Sequence, residues 1–182
     1  MRWNAIYERI KNIDNPVGAE IGVYRGELSE KILKMKKNLH WTMIDSWSVD
    51  TYKDCAPDAV SENYKKLYQD NSEENYTFVY KKIYAKFHYK SNIIRKTSFS
   101  AAKCFNPHSF DIVFIDAAHD YNSVFDDLWT WWGKVKPGGY LSGHDYGVEG
   151  FPGVEAAVNN FFMNSGKPIE LDDDFTWFVK KI

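Results

Sequence analysis

One stretch limits the fold of this chain more than any other, residues 110–121 with the sequence FDIVFIDAAHDY. It contains a run of apolar residues typical of a strand buried on both faces, and it turns polar at Asp116, with His119 close behind. In open α/β sheets, ligands bind at the carboxyl ends of the parallel strands. The stretch therefore predicts a central parallel strand whose end carries polar chemistry.

Two other stretches repeat this arrangement. Residues 138–146, GGYLSGHDY, predict a strand that ends with His144 and Asp145. Residues 39–45, LHWTMID, predict a strand that ends with Asp45. Before them, residues 17–23 predict a strand that runs into the glycines at 22 and 26 and then a helix to about residue 37. Strand, glycine turn, helix and strand make a parallel βαβ unit.

Hydrophobic periodicity and turn residues complete the pattern. They predict helices at 2–12, about 58–69, 73–88, from 98 to 104, about 124–134 and 154–162, a strand at 91–96, a turn at Pro137-Gly138-Gly139, and a terminal hairpin from 168–171 and 175–180. This order predicts an α/β fold, with a mostly parallel sheet that has an antiparallel end and helices on both faces. We expect one domain over 1–182, with a helical insertion at about 46–90.

Composition excludes several classes of protein. With 182 residues, 44% of them hydrophobic, the chain can bury a sizeable core. Its net charge of −2 argues against a nucleic-acid partner held by bulk charge. Cys55 and Cys104 form no CxxC pair, so neither a zinc site nor a disulfide framework is indicated. Neither a signal peptide nor a membrane-spanning run is apparent, so we expect a cytoplasmic protein without a membrane partner.

The first glycine turn indicates which ligand the sheet binds. Its pattern, Glu20-x-Gly22-x-x-x-Gly26, differs from the GxGxxG fingerprint of dinucleotide-binding proteins. A carboxylate in the preceding strand would repel a pyrophosphate but suits a ligand with an ammonium group. Asp45 is placed to accept hydrogen bonds from ribose hydroxyls. Ribose with an ammonium group and no phosphate describes S-adenosylmethionine.

Together, these ordered motifs resemble the class I S-adenosylmethionine-dependent methyltransferases. The closest similarity is to the small-molecule O-methyltransferase branch that includes the macrocin-type sugar methyltransferases, and it extends from about Val17 to Lys180. The resemblance implies a Rossmann-like, seven-stranded sheet with its last strand antiparallel. It also implies cofactor contacts at Glu20, Gly22, Tyr24, Gly26, Asp45, Ser46, Trp47, Ser98, Phe99 and Asp116. For Trp47, a packed core aromatic is the alternative.

The resemblance also assigns roles at the reacting end. His119 matches the position of a proposed base, and Asp116 is expected to act beside it. Asp116 and Asp145 match the acids that hold magnesium in metal-dependent relatives, with His144 as a third ligand that departs from the family pattern. Structural alternatives stay open: Asp116 as a turn cap, His119 as a structural hydrogen-bonding group, and His144 as a packed loop residue.

We therefore expect an S-adenosylmethionine-dependent methyltransferase that O-methylates a small hydroxylated acceptor such as a sugar. A divalent cation such as Mg²⁺ is left open as a second cofactor. The alternatives are an NAD-dependent oxidoreductase on a Rossmann fold and a non-catalytic cofactor-binding module. The sequence also allows a homodimer, because Trp129, Trp131 and Trp132 present more aromatic surface than one helix face buries.

Overall fold

The computed structural model describes residues 1–48, 72–163 and 165–182. The helices in these ranges are α1 Arg2–Ile10, α2 Glu27–Met35, α3 Ser72–Val79, which continues through a π-helical turn Tyr80–Tyr84 into α4 Ala85–Phe87, α5 Ser98–Ala102, α6 Tyr121–Trp132 and α7 Pro152–Phe162. The strands are β1 Val17–Ile21, β2 His40–Asp45, β3 Ser91–Arg95, β4 Phe110–Ile115, β5 Val135–Gly143, β6 Glu170–Asp172 and β7 Thr176–Lys180.

Within the described residues, the strands form one seven-stranded sheet in the order β3-β2-β1-β4-β5-β7-β6. The first five strands pair in parallel. The last strand, β7, runs antiparallel to both β5 and β6. The expected Rossmann-like α/β fold, with a mostly parallel sheet and an antiparallel last strand, is confirmed.

The central strand β4 is buried on both faces, as its apolar run predicts. Val113 and Ile115 pack into the core beneath α6 and α7. Ile112 and Phe114 alternate with them and pack into the core beneath α1 and α2. Because successive strand residues point to opposite faces, this alternation places helices on both sides of the sheet.

Two predicted boundaries were wrong. β1 ends at Ile21, before Val23, because Gly22 has a φ of +86° and turns the chain out of the sheet. The predicted turn at 137–139 lies inside β5, where the pairing changes from Phe110–Val135 to Ile112–Tyr140. The extra residues of β5 form a bulge, which lets the strand pair on both sides of this glycine-containing segment.

The helix predicted at 73–88 is present as α3, the π-helical turn and α4. Its stripe of Val79, Ile83 and Phe87 is buried against the sheet. The helix predicted at 58–69 lies outside the described residues. None of the helices that the structure describes is long and apolar enough to cross a membrane.

The three tryptophans of α6 have different surroundings. Trp131 is buried, and Trp132 packs against Phe162 with 5.1 Å between ring centroids. Trp129 is 75% exposed. The fold therefore buries Trp131 and partly buries Trp132, and Trp129 is the most exposed of the three residues that allowed a homodimer.

Candidate active site

The carboxyl ends of β1, β2, β4 and β5 meet at one edge of the sheet. β1 leads into the glycine turn, β2 ends at Asp45, and Asp116 and His144 directly follow β4 and β5. Gly22 donates its N–H to Ile44 O at 2.9 Å, and Asp116 donates its N–H to Ile21 O at 2.8 Å. The strand ends that the sequence singled out are therefore hydrogen-bonded to one another.

Gly22 allows this close approach. A β-carbon added to Gly22 would overlap the carbonyl group of Asp116 and lie 2.7 Å from Ala117 Cα. Gly26, with a φ of +73°, begins α2, and no side chain caps this helix terminus. Because the first N–H groups of a helix have no partners within it, this end can bind a negatively charged ligand group.

Asp45 holds the backbone of the glycine turn. Its Oδ2 accepts hydrogen bonds from the N–H groups of Val23 and Tyr24, both at 2.9 Å, and its Oδ1 accepts one from Trp47 at 2.8 Å. Tyr24 and Trp47 have positive φ angles of 52° and 40°. The carboxylate therefore stabilises two strained residues beside the position that was predicted for the ribose.

Trp47 belongs to the core. Its ring is 1% exposed, packs 5.2 Å from the ring of Tyr76, and donates its Nε1–H to Tyr24 O at 2.9 Å. The structure therefore shows Trp47 as a packed core aromatic, which is the alternative that the sequence left open. Ser46, between Asp45 and Trp47, is half-buried at the same edge. Contacts of Ser46 and Trp47 with an adenine remain predictions.

Glu20 lies inside the layer between β1 and α2. Its carboxyl group accepts a hydrogen bond from Ser29 Oγ, which accepts one from Trp41 Nε1 at 2.7 Å. Burial raises the pKa of Glu20 to about 8, with the bond from Ser29 acting against that shift. Glu20 is therefore a neutral, buried support of the glycine turn at pH 7, and a direct contact with the cofactor remains a prediction.

The predicted adenine edge after β3 divides into a packed part and an exposed part. Ser98 donates a hydrogen bond to Asp127 and accepts one from Trp131 Nε1 at 2.8 Å, which connects α5 to α6. Phe99 is 63% exposed, and Lys103 Nζ lies 4.3 Å from its ring centroid. Of these two residues, only Phe99 presents a large open surface to a ligand.

The reacting end is organised around one carboxylate. Asp145 Oδ2 lies 2.8 Å from His119 Nε2, and Asp145 Oδ1 lies 3.0 Å from His144 Nδ1. His144 also donates its N–H to Ile115 O, which ties the end of β5 to the end of β4. Asp145 has a φ of +61°, an uncommon backbone conformation outside glycine. The structure therefore brings together His119, His144 and Asp145, as the sequence predicted from the strand ends.

Asp116 joins this group and adds a residue that the sequence did not single out. Its Oδ1 lies 3.9 Å from His144 Nδ1, and its Oδ2 lies 3.9 Å from Arg2 Nε. Arg2 Nε is buried and has no hydrogen-bond partner among the described residues. The backbone N–H of Arg2 donates to Asp174 Oδ2 at 3.1 Å. The start of α1 is therefore held at the reacting edge, where it places a guanidinium group beside Asp116.

These contacts set the charges of the cluster. Burial raises the pKa of Asp116, and His144 acts against that shift. Burial also acts to raise the pKa of Asp145, but hydrogen bonds from His119 and His144 hold this pKa well below its ordinary range. For His144, burial acts to lower the pKa, and the bond to Asp145 with the charge on Asp116 raises it overall. Asp145 is therefore a carboxylate at pH 7, so both imidazole rings donate to it.

A ring from the loop after β5 holds His119 in place. Phe151 stacks on His119 with 4.1 Å between centroids and 19° between planes. Gly153 passes so close that an added β-carbon would lie 2.7 Å from His119 O and 2.6 Å from Tyr121 N. Stacking and the bond to Asp145 together restrict the ring of His119. Within the described residues, the ring's polar contact is made through Nε2, and no hydrogen bond to its Nδ1 is present.

A small pocket separates the cluster from the core. Its polar walls are Asp116, His119, His144 and Asp145, and Trp177 of β7 closes one side. His144 Nε2 and Trp177 Nε1 are buried and have no hydrogen-bond partners among the described residues. Because buried polar groups are normally hydrogen-bonded, these two nitrogens point to a group that completes the site.

The side chains present suit both expected cofactors. For S-adenosylmethionine, the uncapped start of α2 suits its carboxylate, and Asp45 beside the glycine turn suits its ribose hydroxyls. For a divalent cation, Asp116, His144 and Asp145 place one ligand atom each within 4.8 Å of the others.

Sequence reasoning missed Arg2, Phe151 and Trp177. Phe151 lies in a loop that the sequence marked only by its glycines, and Arg2 and Trp177 lie far along the chain from the motifs. A signal existed only for the loop, because Gly150 and Gly153 flank Phe151-Pro152 just after a strand with a polar end. Arg2 had no local signal, since its contact with Asp116 depends on how α1 packs.

Comparisons with known structures agree with the fold. The O-methyltransferase NovP is 17% identical with a TM-score of 0.64, and the match covers 99% of this chain and 79% of NovP. CalS11, a TDP-rhamnose 3′-O-methyltransferase of calicheamicin biosynthesis, is 12% identical with a TM-score of 0.63, covering 98% of this chain and 77% of CalS11. A putative rRNA methylase from Clostridium thermocellum is 11% identical with a TM-score of 0.64, covering 98% and 96%. At these identities, the likeness shows the fold alone.

Sequence comparison identifies the family. No curated protein matches this chain significantly. A family model described as a methyltransferase domain matches residues 19–146, which contain the glycine turn, Asp45, the end of β4 and the His144-Asp145 pair. This match spans more than half of the chain. The chain therefore belongs to the methyltransferase domain family and is a class I S-adenosylmethionine-dependent methyltransferase.

Proposed function

We propose that this enzyme methylates a hydroxyl group of a small acceptor, with His119 as the general base and Asp145 as the residue that orients it. The observation that carries this proposal is the 2.8 Å contact between His119 Nε2 and Asp145 Oδ2 at the reacting edge. A neutral imidazole can accept a proton near pH 7 and serve as a general base. A hydroxyl is a weak nucleophile until such a base removes its proton.

The direction of the hydrogen bonds assigns the reactive nitrogen. Asp145 is a carboxylate that accepts a hydrogen bond from His119 Nε2–H, so neutral His119 carries its lone pair on Nδ1. The acceptor hydroxyl would donate its proton to Nδ1 as its oxygen takes the methyl group. Asp145 then stabilises the imidazolium that forms, and Phe151 keeps the ring in one orientation. When bound, S-adenosylmethionine would supply an electrophilic methyl group on its sulfonium, and the S–CH₃ bond would break to leave S-adenosylhomocysteine.

The acceptor that we propose is a small hydroxylated molecule such as a sugar. Support comes from the structural likeness to CalS11, a TDP-rhamnose 3′-O-methyltransferase, and to NovP, an O-methyltransferase. The family match favours methyl transfer over the NAD-dependent oxidoreductase. A cofactor-binding module without catalysis is the remaining alternative, and the experiment below distinguishes it.

A divalent cation is a second candidate for activating the hydroxyl. The three convergent side chains of Asp116, His144 and Asp145 favour it. When bound, the cation would polarise the hydroxyl oxygen and lower the pKa of its proton. Imidazole among the ligands favours a transition metal over Mg²⁺. Metal titration followed by histidine NMR would test the assignment, because a bound ion should shift the resonances of His144 before those of His40.

Methylation assays with matched histidine variants test the main proposal. Calorimetry first measures S-adenosylhomocysteine binding, and labelled S-adenosylmethionine then reports methylation across a panel of sugars and phenols. His119→Gln should lower kcat by about 10²–10⁴-fold, the usual contribution of a positioned base. His40→Gln is the control, because His40 is exposed at the opposite end of β2.

Each outcome bears on a different part of the proposal. Failure of the wild-type protein to bind S-adenosylhomocysteine at millimolar concentration would argue against cofactor-dependent transfer. Binding without methylation of any acceptor would favour the non-catalytic module. Methylation that is equally fast in His119→Gln and in the wild-type protein would reject His119 as the base.

A further inference from the structure

A second pocket opens beside the reacting cluster. It has a volume of about 300 Å³, near the lower limit for small-molecule pockets. Its lining combines aromatic, aliphatic and carboxylate side chains from the loop after β5 and from the hairpin of β6 and β7. The described lining residues are Tyr146, Leu171, Asp172, Asp174, Phe175 and Thr176. None of them has a role in the proton transfer described above.

Strand register places this pocket at the catalytic edge. Gly143 at the end of β5 pairs with Trp177, so the hairpin turn before Trp177 continues beyond the end of β5. Tyr146, which follows Asp145, donates its N–H to Phe175 O at 3.0 Å. The reacting cluster and the pocket are thus joined by the chain at Asp145-Tyr146 and by this hydrogen bond.

Arg2 connects the two sites from the other side. Its backbone N–H is bound to the Asp174 carboxylate at 3.1 Å, and its Nε lies 3.9 Å from Asp116. A single residue of α1, Arg2, therefore links Asp174 in the pocket wall to Asp116 in the cluster. Arg2 thus contacts both the pocket wall and the reacting cluster.

The apolar part of the wall suits a ring. Phe175 is 55% exposed and Leu171 is 60% exposed, although both are large apolar side chains. Tyr146 presents a second aromatic ring whose hydroxyl is anchored to Asn159 Oδ1 at 2.8 Å. Aromatic faces combine large contact area with little loss of side-chain freedom, and they pack against the C–H face of a sugar ring.

The polar part of the wall suits hydroxyl groups. Asp172 and Asp174 offer carboxylate oxygens, which accept hydrogen bonds and donate none. Arg9 Nη1 binds Asp172 Oδ2 at 2.8 Å, whereas the Asp174 carboxylate accepts only the backbone N–H of Arg2 within the structure described. Of the described lining residues, none is positively charged. A phosphate or carboxylate would therefore be repelled, whereas a neutral polyol would donate to these oxygens.

We propose that this pocket is the acceptor subsite and that it binds an uncharged hydroxylated ring, such as a hexose or deoxyhexose. The inference rests on the proposed function, since it assigns the acceptor of the same methyl transfer. The ring would pack between Phe175 and Tyr146, and Asp174 would accept hydrogen bonds from its hydroxyls. One hydroxyl would then face the cluster of Asp116, His119 and Asp145.

Saturation-transfer NMR with two matched glycosides tests the subsite without turnover. Methyl β-D-glucopyranoside is neutral, and methyl β-D-glucuronide has the same ring with a carboxylate. The wild-type protein should bind the neutral glycoside at least about fivefold more tightly, because like charges repel in the glucuronide complex. Asp174→Asn should reduce this preference for the neutral glycoside, because it removes one of the negative charges. The amide oxygen of the asparagine can still accept the hydrogen bond from Arg2 N–H.

Aromatic variants complete the test. Phe175→Ala should weaken binding of the neutral glycoside about fivefold or more, because it removes the main ring contact. Tyr89→Ala is the control, since Tyr89 is 68% exposed and lies outside the site. Equal binding by Phe175→Ala and Tyr89→Ala would overturn the subsite. So would a wild-type preference for the glucuronide, or no detectable binding of the neutral glycoside at tens of millimolar.

S-adenosylhomocysteine calorimetry on the same proteins separates this inference from the proposed function. If the wild-type protein binds S-adenosylhomocysteine and methylates a hydroxylated acceptor with a KM that Phe175→Ala leaves unchanged, the subsite is wrong and the function stands. A higher KM in Phe175→Ala with an unchanged kcat and unchanged S-adenosylhomocysteine affinity would support the subsite.

Discussion

The Nε2 atom of His119 lies 2.8 Å from the Oδ2 atom of Asp145, across the gap between the ends of β4 and β5. The other oxygen of the same carboxylate lies 3.0 Å from His144 Nδ1. One acidic side chain therefore orients two imidazole rings. This bridge makes Asp145 the residue whose replacement should disturb the site most, although His119 is the group placed to accept the proton.

Asp145→Asn should lower kcat by about 10²–10⁴-fold while the protein remains folded. An amide presents an NH₂ group to one of the two rings, so His119 or His144 must change its tautomer or lose its partner. Steady-state kinetics with any accepted substrate checks this prediction. Affinity for S-adenosylhomocysteine should stay within about threefold, since a loss confined to kcat marks a role in the transition state. A kcat near the wild-type value would contradict the bridge as an orienting device.

The same variant should lower the pKa of His144. In the wild-type protein, the bond to Asp145 and the charge on Asp116 raise this pKa above its ordinary value, although burial acts against them. Protonation of His144 therefore stabilises the folded state below about pH 6.5, and this stabilisation is lost as pH rises through the raised pKa. Histidine NMR titration measures the shift directly. An unchanged His144 pKa in Asp145→Asn would show that Asp145 does not set it.

Gly22→Ala should destabilise the fold by about 3 kcal/mol or more, the range of severe core substitutions. The new methyl group would overlap the Asp116 carbonyl and force β1 and β4 apart at the active site.

Gly138→Ala is a matched control, because Gly138 has a φ of +84° and no atom within 4 Å of an added β-carbon. Gly138→Ala should lower the free energy of unfolding by about 1–2 kcal/mol, from backbone conformation alone. Denaturant unfolding of both variants separates overlap from backbone strain, and equal losses would reject the close approach as the reason for glycine.

Asp127→Asn should stabilise the protein above neutral pH. Burial raises the pKa of Asp127 to about 7, despite the opposing hydrogen bond from Ser98. The folded state then binds a proton that the unfolded state releases near pH 4, so stability falls as pH rises from about 4 to 7. Asparagine cannot ionise, so Asp127→Asn removes this pH dependence of stability. The gain in the free energy of unfolding should be a few kcal/mol at most, because one pKa unit corresponds to about 1.4 kcal/mol. Denaturant unfolding at pH 5 and pH 8 measures this change in stability, with exposed Asp173→Asn as the control. A parallel pH dependence in both variants would refute the assignment.

Asp45→Asn should weaken S-adenosylhomocysteine binding and also reduce stability by about 1–3 kcal/mol, the usual loss when buried hydrogen-bonding groups lose a partner. An amide NH₂ group would face one of the backbone N–H groups of Val23, Tyr24 or Trp47. Calorimetry and thermal unfolding check the two effects, with Asp14→Asn, at an exposed position, as the control. A stable variant with normal affinity would show that Asp45 neither holds the turn nor serves the ribose.

Local sequence patterns predicted most of the elements because each pattern reports the surroundings of its own residues. The apolar run of β4 predicted burial on both faces, and Ile112 and Val113 indeed lie in different cores. The predicted start of β5 after Pro137-Gly138-Gly139 was wrong, since a local pattern cannot show that Val135, before this segment, already pairs with β4. A bulge and a turn are built from the same residue types. They differ in whether the residues on both sides pair with the same neighbouring strand.

The sequence by itself determined the succession of strands and helices along the chain, the glycine turn and the polar residues at each strand end, because parallel βαβ units place these features at one edge. Only the tertiary structure decided that Asp145 bridges His119 and His144, that Arg2 reaches Asp116, and that Trp47 packs inside the core. These contacts depend on how helices pack on the sheet and how the terminal hairpin continues beyond β5. The chain brings such residues together only on folding, so no local pattern encodes their distances.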